Sequence, residues 1–402
     1  ILWVKANKLL PLHSGGDIRS FHFLRHLSSH HKLIFLSYYD GGEDKQYETE
    51  LRNHFPSAQT VSTRKNAAPV SRGLDYLRNL PSPAPYAVSR FASPPVREKI
   101  RSLLETGGFD VVVSDFLDAA INFPDHLTIP GVLFQHNVES EIWRRHATTE
   151  SNPAKRLMYQ FEFKKMLRYE QSIIRRFRHI IAVSEHDRAL MQPWAGNSKI
   201  TIVPTGVDVA QYRPSSETHD TAPIVMFVGS MDWEPNIDAV EFFRNEIWPL
   251  VTAKIPAARF VIVGRNPDRR VQKLASSSIE ITGRVASVAD QLQKAAVVIV
   301  PLRIGGGTRL KIYEAMAAGK AVVSTTVGAE GLDVSPGRDI GIADNPADFA
   351  GAVVSLLNDR DLRRRYERAA SETAGKYDWS VIAAKFAEAL ESVAAKTTSV
   401  PF

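Results

Sequence analysis

GGGTRLKIYEAMAAGK, residues 305–320, follows the apolar run VVIVPL (297–302) and decides how the rest of the chain is read. A buried strand, a glycine-rich turn and a helix from about 308 to 318, stopped at Gly319, make the junction unit of an α/β sheet. Gly305, Gly306 and Gly307 let backbone come close to a ligand, and the helix presents the positive end of its dipole to the same point. Thr308 follows, and then Arg309 and Lys311 add two cations in the first turn, where they oppose that dipole. Cations placed there expect an anion, of which a phosphate or diphosphate is the natural one. Three glycines would also serve chain reversal alone, and the string matches neither the P-loop nor the dinucleotide G-x-G-x-x-G pattern.

Outward from this junction, the second half of the chain repeats strand and helix. The runs IVMFVG (224–229), RFVIVG (259–264), IEITG (279–283), VVIVPL (297–302) and AVVST (321–325) alternate with helical patterns near 236–254, 267–276, 288–295 and 308–318. The first half does the same with ILWVKA (1–6), KLIFLSYY (32–39), DVVVSD (110–115), GVLFQH (131–136), HIIAVS (179–184) and ITIVP (200–204). Helical patterns lie between them near 19–30, 96–106, 153–178 and 185–192. The Pro-bearing stretch 56–95 reads as a long irregular connection. Two such series predict an α/β protein with two doubly wound sheets. The expected domains are 1–208, a polar linker 209–222, and 223–376, followed by an amphipathic terminal helix 377–396. Ligands of open α/β sheets bind beyond the carboxyl ends of the strands. The turns at Gly229, Gly283 and Gly305–Gly307, and Ser14-Gly15-Gly16 in the first half, all lie on that edge, which predicts a ligand cleft between two facing domains.

A chain of 402 residues with 44% apolar and 23% charged residues is long enough for two globular cores. It contains no cysteine, which excludes disulfides and thiolate metal sites or nucleophiles, and no Asn-x-Ser/Thr sequon. No apolar run approaches the ~20 residues of a spanning helix, and the opening ILWV carries no leader pattern, so a cytoplasmic protein is expected. The formal charge of +6 is concentrated in 153–179, where Lys155, Arg156, Lys164, Lys165, Arg168, Arg175, Arg176 and Arg178 alternate with Leu157, Met158, Phe161 and Ile173. That pattern suits either a solvated helix face or a peripheral contact with the inner face of a membrane. No nucleic-acid-binding motif accompanies it, so nucleic acid is not expected.

Taken together, SGG at 14–16, FQHN at 134–137, VPTGVD at 203–208, FVGSMDWEPN at 227–236, TGRV at 282–285 and PLRIGGGTRLKIYEAMAAGKAVV at 301–323 resemble the retaining GT-B glycosyltransferases of family 4, the group 1 class. The resemblance covers nearly the whole chain, and the GGGTRLK form is similar to bacterial transferases of exopolysaccharide and cell-surface assembly. It implies the GT-B fold, two Rossmann-like domains facing across a cleft. It also implies transfer of a sugar from a UDP- or GDP-linked donor to a glycan, lipid-linked or small-molecule hydroxyl. No cofactor and no metal are implied, and the terminal helix would cross back to the first domain.

By the same resemblance, Glu314 matches the residue that holds the donor ribose hydroxyls, a role suited to a carboxylate that can accept from both. Arg309 and Lys311 would hold the diphosphate. His136 matches the active-site histidine near the donor sugar. Gly15 and Gly16 would admit the diphosphate from the first domain, Gly229 and Ser230 would line it in the second, and Arg284 and Val285 would line the base. Two departures stand out. Gly306 occupies the place of the first glutamate of the family's Glu-x7-Glu pattern, and Ser230 and Asn236 stand where the family has an arginine and a lysine. A degenerate GT-B binding subunit and a sugar-nucleotide epimerase are the competing expectations. Asp359-Arg360-Asp361, the one Asp-x-Asp string, reads as a solvated helix start.

Overall fold

The computed structural model describes residues 1–12, 14–63, 75–150, 152–213, 222–304 and 310–395. The chain divides into two compact units, one of residues 1–204 and 382–402, the other of residues 205–381. Of the expected linker 209–222, Val209–Tyr212 is a helical turn and residues 214–221 lie outside the described residues.

The first unit is built on seven parallel strands: β1 (Leu2–Ala6), β2 (Ile34–Tyr39), β3 (Gln59–Ser62), β4 (Val112–Asp115), β5 (Gly131–Phe134), β6 (His179–Ala182) and β7 (Lys199–Ile202), in the order β3-β2-β1-β4-β5-β6-β7. The central strands are buried throughout, as an all-parallel sheet covered on both faces requires. The first helix, Gly15–His30, starts four residues before its apolar pattern does. Ser14 and Asp17 form a reciprocal capping box that satisfies the first amides. Trp3, Phe23 and Phe134 pack around Phe386 of the terminal helix Trp379–Ala395, with Phe23 and Phe386 stacked at 4.4 Å between ring centroids.

The stretch 56–95 is more ordered than its composition suggests. Gln59–Ser62 pairs in parallel with β2 as the sheet edge, and Tyr86–Ser89 and Pro94–Thr106 are helical, while residues 64–74 lie outside the described residues. An edge strand half-buried along QTVS leaves no continuous apolar run to find.

The second unit holds six parallel strands, β8 (Ile224–Val228), β9 (Arg259–Val263), β10 (Ile279–Gly283), β11 (Val297–Val300), β12 (Ala321–Ser324) and β13 (Gly341–Ile342), ordered β10-β9-β8-β11-β12-β13. The helix expected over 236–254 is three pieces: α-helix Glu234–Phe242, a π turn Phe243–Ile247, and α-helix Trp248–Lys254. Pro249 in the first turn of the last piece cannot continue the hydrogen-bond ladder, and the wider turn before it accommodates the break. The pattern over 267–276 yields only Arg269–Gln272. Asp359 caps the helix Arg360–Gly375 by accepting from the amide of Leu362 at 2.9 Å.

Each sheet reverses its strand order once, between β1 and β4 in the first and between β8 and β11 in the second. These reversals open a crevice at the carboxyl edge, because the connections leaving the two neighbouring strands run to opposite sides.

Candidate active site

At the β8–β11 reversal, β8 runs straight into Gly229. Its amide donates to Val263 O at 2.9 Å, bringing the ends of β8 and β9 together. The approach is so close that a Cβ on Gly264 would sit 1.7 Å from the Gly229 carbonyl oxygen. Gly264→Ala is therefore expected to destabilise the second unit by about 3 kcal/mol, the upper end of ordinary overpacking, since the obstacle is backbone and cannot swing away. A chemical denaturation midpoint equal to that of the parent chain would contradict this.

Asn236, buried on the following helix, donates from Nδ2 to Ser230 O at 2.8 Å, and its Oδ1 accepts from Lys311 Nζ at 2.7 Å. The same ammonium lies 4.4 Å from the centroid of the Phe227 ring. A Cβ on Gly229 would fall 2.8 Å from Lys311 Nζ and 2.7 Å from Asn236 Nδ2, so a glycine is needed there for the lysine to reach its place. Lys311 lies in the first turn of the helix Leu310–Ala317, which ends where Gly319 turns at φ +68°. Ser230 Oγ donates to Asp232 at 2.6 Å and accepts from Arg265 Nε at 3.1 Å. The position that lacks the family's lysine is thus in contact with the amine of Lys311, and the position that lacks its arginine is in contact with Arg265.

Glu314, one turn beyond Lys311, is hydrogen-bonded to Tyr212. Burial raises its carboxyl above the ordinary range against the opposing effects of Tyr212 and Lys311. Arg284 and Val285 follow the end of β10 on the same carboxyl edge, two strands from Gly229, with Arg284 exposed. Gly305, Gly306, Gly307, Thr308 and Arg309 lie outside the described residues.

In the first unit the β1–β4 reversal gathers Gly15, Gly16 and His136. A Cβ on Gly16 would be 3.8 Å from the His136 ring. The sequence reading passed over Asp115, the group that organises this place. Its Oδ1 lies 2.6 Å from His136 Nε2, and its Oδ2 accepts from Trp3 Nε1 at 3.0 Å and Ser20 Oγ at 2.7 Å, with Lys5 Nζ at 3.7 Å. Lys5 also approaches Asp17 at 3.4 Å.

Burial by itself would raise the Asp115 carboxyl. Lys5 and the hydrogen bonds from His136 and Ser20 outweigh it and hold the group well below the usual carboxylate range. Burial also dominates at His136, lowering it to about 4 in spite of Asp115. A neutral imidazole beside an ionised carboxylate carries its proton on Nε2. Nδ1 is then an acceptor, and it is buried with no hydrogen-bond partner among the described residues. A hydroxyl or other hydrogen-bond donor is the group that would complete it.

The backbone around the histidine is strained to match. Phe116, directly after β4, adopts φ +76° and ψ 176°, and its ring lies 5.3 Å from that of His136.

Further carboxyls line the same edge. Burial raises Asp118 to about 6, Glu139 to about 8 and Glu170 to about 7. Glu170 accepts from the amides of Glu139 and Ser140, from Ser140 Oγ and from Gln135 Nε2, so it fixes the chain just after β5. For Asp115 the one sequence signal is an acid closing the strand run VVVSD (111–115).

Among the described residues no cluster of acidic or histidine side chains could hold a metal ion, and no helix is long and apolar enough to cross a membrane.

The chain is similar to known proteins along most of its length. Residues 15–211 match the family model for Glycosyltransferase Family 4 and residues 222–359 that for Glycosyl transferases group 1. The phosphatidyl-myo-inositol mannosyltransferase of Mycolicibacterium smegmatis is 29% identical over 351 residues, 83% of this chain and 85% of that protein. The D-inositol 3-phosphate glycosyltransferase of Nocardia farcinica is 27% identical over 52% of this chain and 51% of its own. Among solved structures, sucrose-phosphate synthase from Thermosynechococcus elongatus superposes with a TM-score of 0.70 at 16% identity, covering 98% of this chain and 99% of that one. Anabaena HepE in complex with UDP and glucose superposes at 0.67 and 15% identity, covering 97% and 99%.

Proposed function

The chain belongs to the family 4, group 1 glycosyl transferases, and on that premise we propose that it moves a hexose, with retention, from a UDP- or GDP-linked donor to an acceptor hydroxyl. The observation that carries this is the Lys311 ammonium seated between Asn236 and the bare Cα of Gly229 at the β8–β11 reversal. A cation there, at the first turn of a helix, suits the diphosphate of a nucleotide sugar. Arg309 is assigned the same task. With two cations assigned to the leaving group, the proposed reaction calls for no divalent ion and no cofactor. Glu314 is assigned to the donor ribose, Arg284 and Val285 to the base, and Gly305–Thr308, Gly229 and Ser230 to the phosphates and sugar. Gly15 and Gly16 are assigned to the diphosphate from the first unit.

Retention needs no protein nucleophile if the departing phosphate takes the acceptor proton. His136, neutral and with a lone pair on Nδ1, would then position a sugar hydroxyl instead of attacking. The acceptor is a glycan, a lipid-linked sugar or a small molecule, and assembly of surface polysaccharide in the cytoplasm is the setting we assign.

A thermal-shift panel of UDP, GDP, ADP and dTDP, run in EDTA on the parent chain and on Arg309→Ala, tests the assignment. One nucleotide is expected to raise the melting temperature of the parent by several degrees, with most of that shift lost in the variant. No shift with any of the four would remove the donor site, and would favour a binding subunit in which Gly306 marks the lost glutamate.

A further inference from the structure

The basic helix Pro153–Arg176 has a buried side and a bare one. Glu162, Lys165, Met166, Glu170, Ile173 and Ile174 face the protein, whereas Leu157 is 68% exposed and Phe161 42% exposed, with Met158 exposed beside them. The helical turn 75–79 extends the bare side. Lys165 Nζ donates to the carbonyls of Asn79 at 3.2 Å and Leu80 at 3.5 Å, and lies 5.3 Å from the Phe161 ring centroid. One buried ammonium therefore ties the two segments together, and Glu162 fastens the helix to the chain that follows the turn by accepting from the Tyr86 amide at 3.0 Å. On the turn, Leu77 is 59% exposed and Leu80 is exposed as well. Five of the ten large apolar side chains left exposed among the described residues thus belong to these two joined segments.

Their surroundings are cationic. Lys155, Arg156, Lys164 and Arg168 are exposed on the helix, and Arg78 on the turn, near Asp75 at 3.8 Å. Glu162 is buried and directed inward, and so contributes no negative charge to the face. Protruding leucine and phenylalanine ringed by Lys and Arg match one kind of surface. That surface is an acyl-chain boundary beneath anionic headgroups, which takes the apolar tips while the phosphates meet the cations. A groove-binding protein segment would need a concave apolar seat, whereas these side chains project from a convex helix.

We propose that the face formed by residues 155–168 and 77–80 docks the protein onto an anionic lipid bilayer. The proposal is independent of the reaction assigned above, and its readout involves no turnover. Full-length protein is sedimented with vesicles of phosphatidylcholine alone and of phosphatidylcholine with phosphatidylglycerol. Binding is expected on the phosphatidylglycerol vesicles only, and is expected to weaken as salt is raised. Leu157→Ser with Phe161→Ser is expected to abolish it. Lys155→Glu with Arg156→Glu is expected to lower the partition coefficient by roughly fivefold for each cation removed. All four positions are exposed, so melting monitored by circular dichroism should be unchanged and separates lost binding from lost fold. No association with either vesicle overturns the proposal, as does association that survives the Leu157 and Phe161 replacements.

Discussion

Lys311→Ala is expected to lower turnover by about 10²–10³, the effect of removing one preorganised donor from a developing negative charge. The side chain is held by Asn236 Oδ1 at 2.7 Å and by the Phe227 ring, so its ordering precedes any ligand. Lys311→Arg is expected to rescue little. The ammonium occupies space that only a glycine at 229 leaves open, and a planar guanidinium has a different shape and reach. Steady-state kinetics with the nucleotide sugar identified by thermal shift would measure the loss. The fold should survive, because the lysine is only half-buried and its hydrogen bond to the neutral amide of Asn236 is worth about 1 kcal/mol. Turnover in the alanine variant within a factor of a few of the parent would remove Lys311 from the leaving-group site.

The second large effect is expected at Asp115. Asp115→Asn keeps the shape but removes the charge that faces Lys5, and it sets an amide where a carboxylate accepted from Trp3, Ser20 and His136. Breaking such a buried set by altering one member costs about 3–5 kcal/mol, which chemical denaturation would register. Where the fold persists, an amide nitrogen turned toward His136 Nε2 drives the imidazole proton to Nδ1. The acceptor then becomes a donor, and loss of its hydrogen bond to substrate is worth about 1–3 kcal/mol, or one to two orders of magnitude in kcat/KM.

The pH dependence of stability gives an independent check on the histidine. His136 sits at about 4 in the fold, below its ordinary 6.5, so the unfolded chain binds more protons in that window. Stability is present above 6.5 and is lost as pH falls toward 4. His136→Gln should flatten that part of the curve, and an unchanged slope would show that His136 is not the buried neutral group described.

Much of the architecture follows from local pattern. Eleven of the strands were legible as apolar runs: nine are inner strands, apolar along their length because both faces are covered, and the edge strands β7 and β10 keep alternating isoleucines. The two that were missed, β3 at Gln59–Ser62 and β13 at Gly341–Ile342, are sheet edges, where half-burial or shortness erases the run. Just after 243–247, Pro249 marks an interruption in the sequence, but the π turn that accommodates it has no composition of its own and shows only in the structure, where Phe243 and Ile247 are buried in the core.

Site residues divide along the same line. Gly229 and Lys311 could be named from sequence, since glycine beside a strand end and charge at a helix start are local features, whereas Glu314 was named only through the family resemblance. Asp115 could not be weighed that way. A carboxylate ending a strand acquires meaning only when Lys5, Ser20 and His136, distant in sequence, converge on it.

By itself, then, the sequence determined the α/β class and the identity of the residues at the strand ends, because periodicity and short-range dipoles are written into neighbouring residues, and its motifs carried the resemblance to the family. Only the tertiary structure decided the strand order that opens a crevice at β1–β4 and at β8–β11, the neutral state of His136, and the seat of Lys311 against Gly229. Strand order, burial and close approach are products of segments far apart in the chain, and the electrostatics of a buried group follow from what those segments exclude.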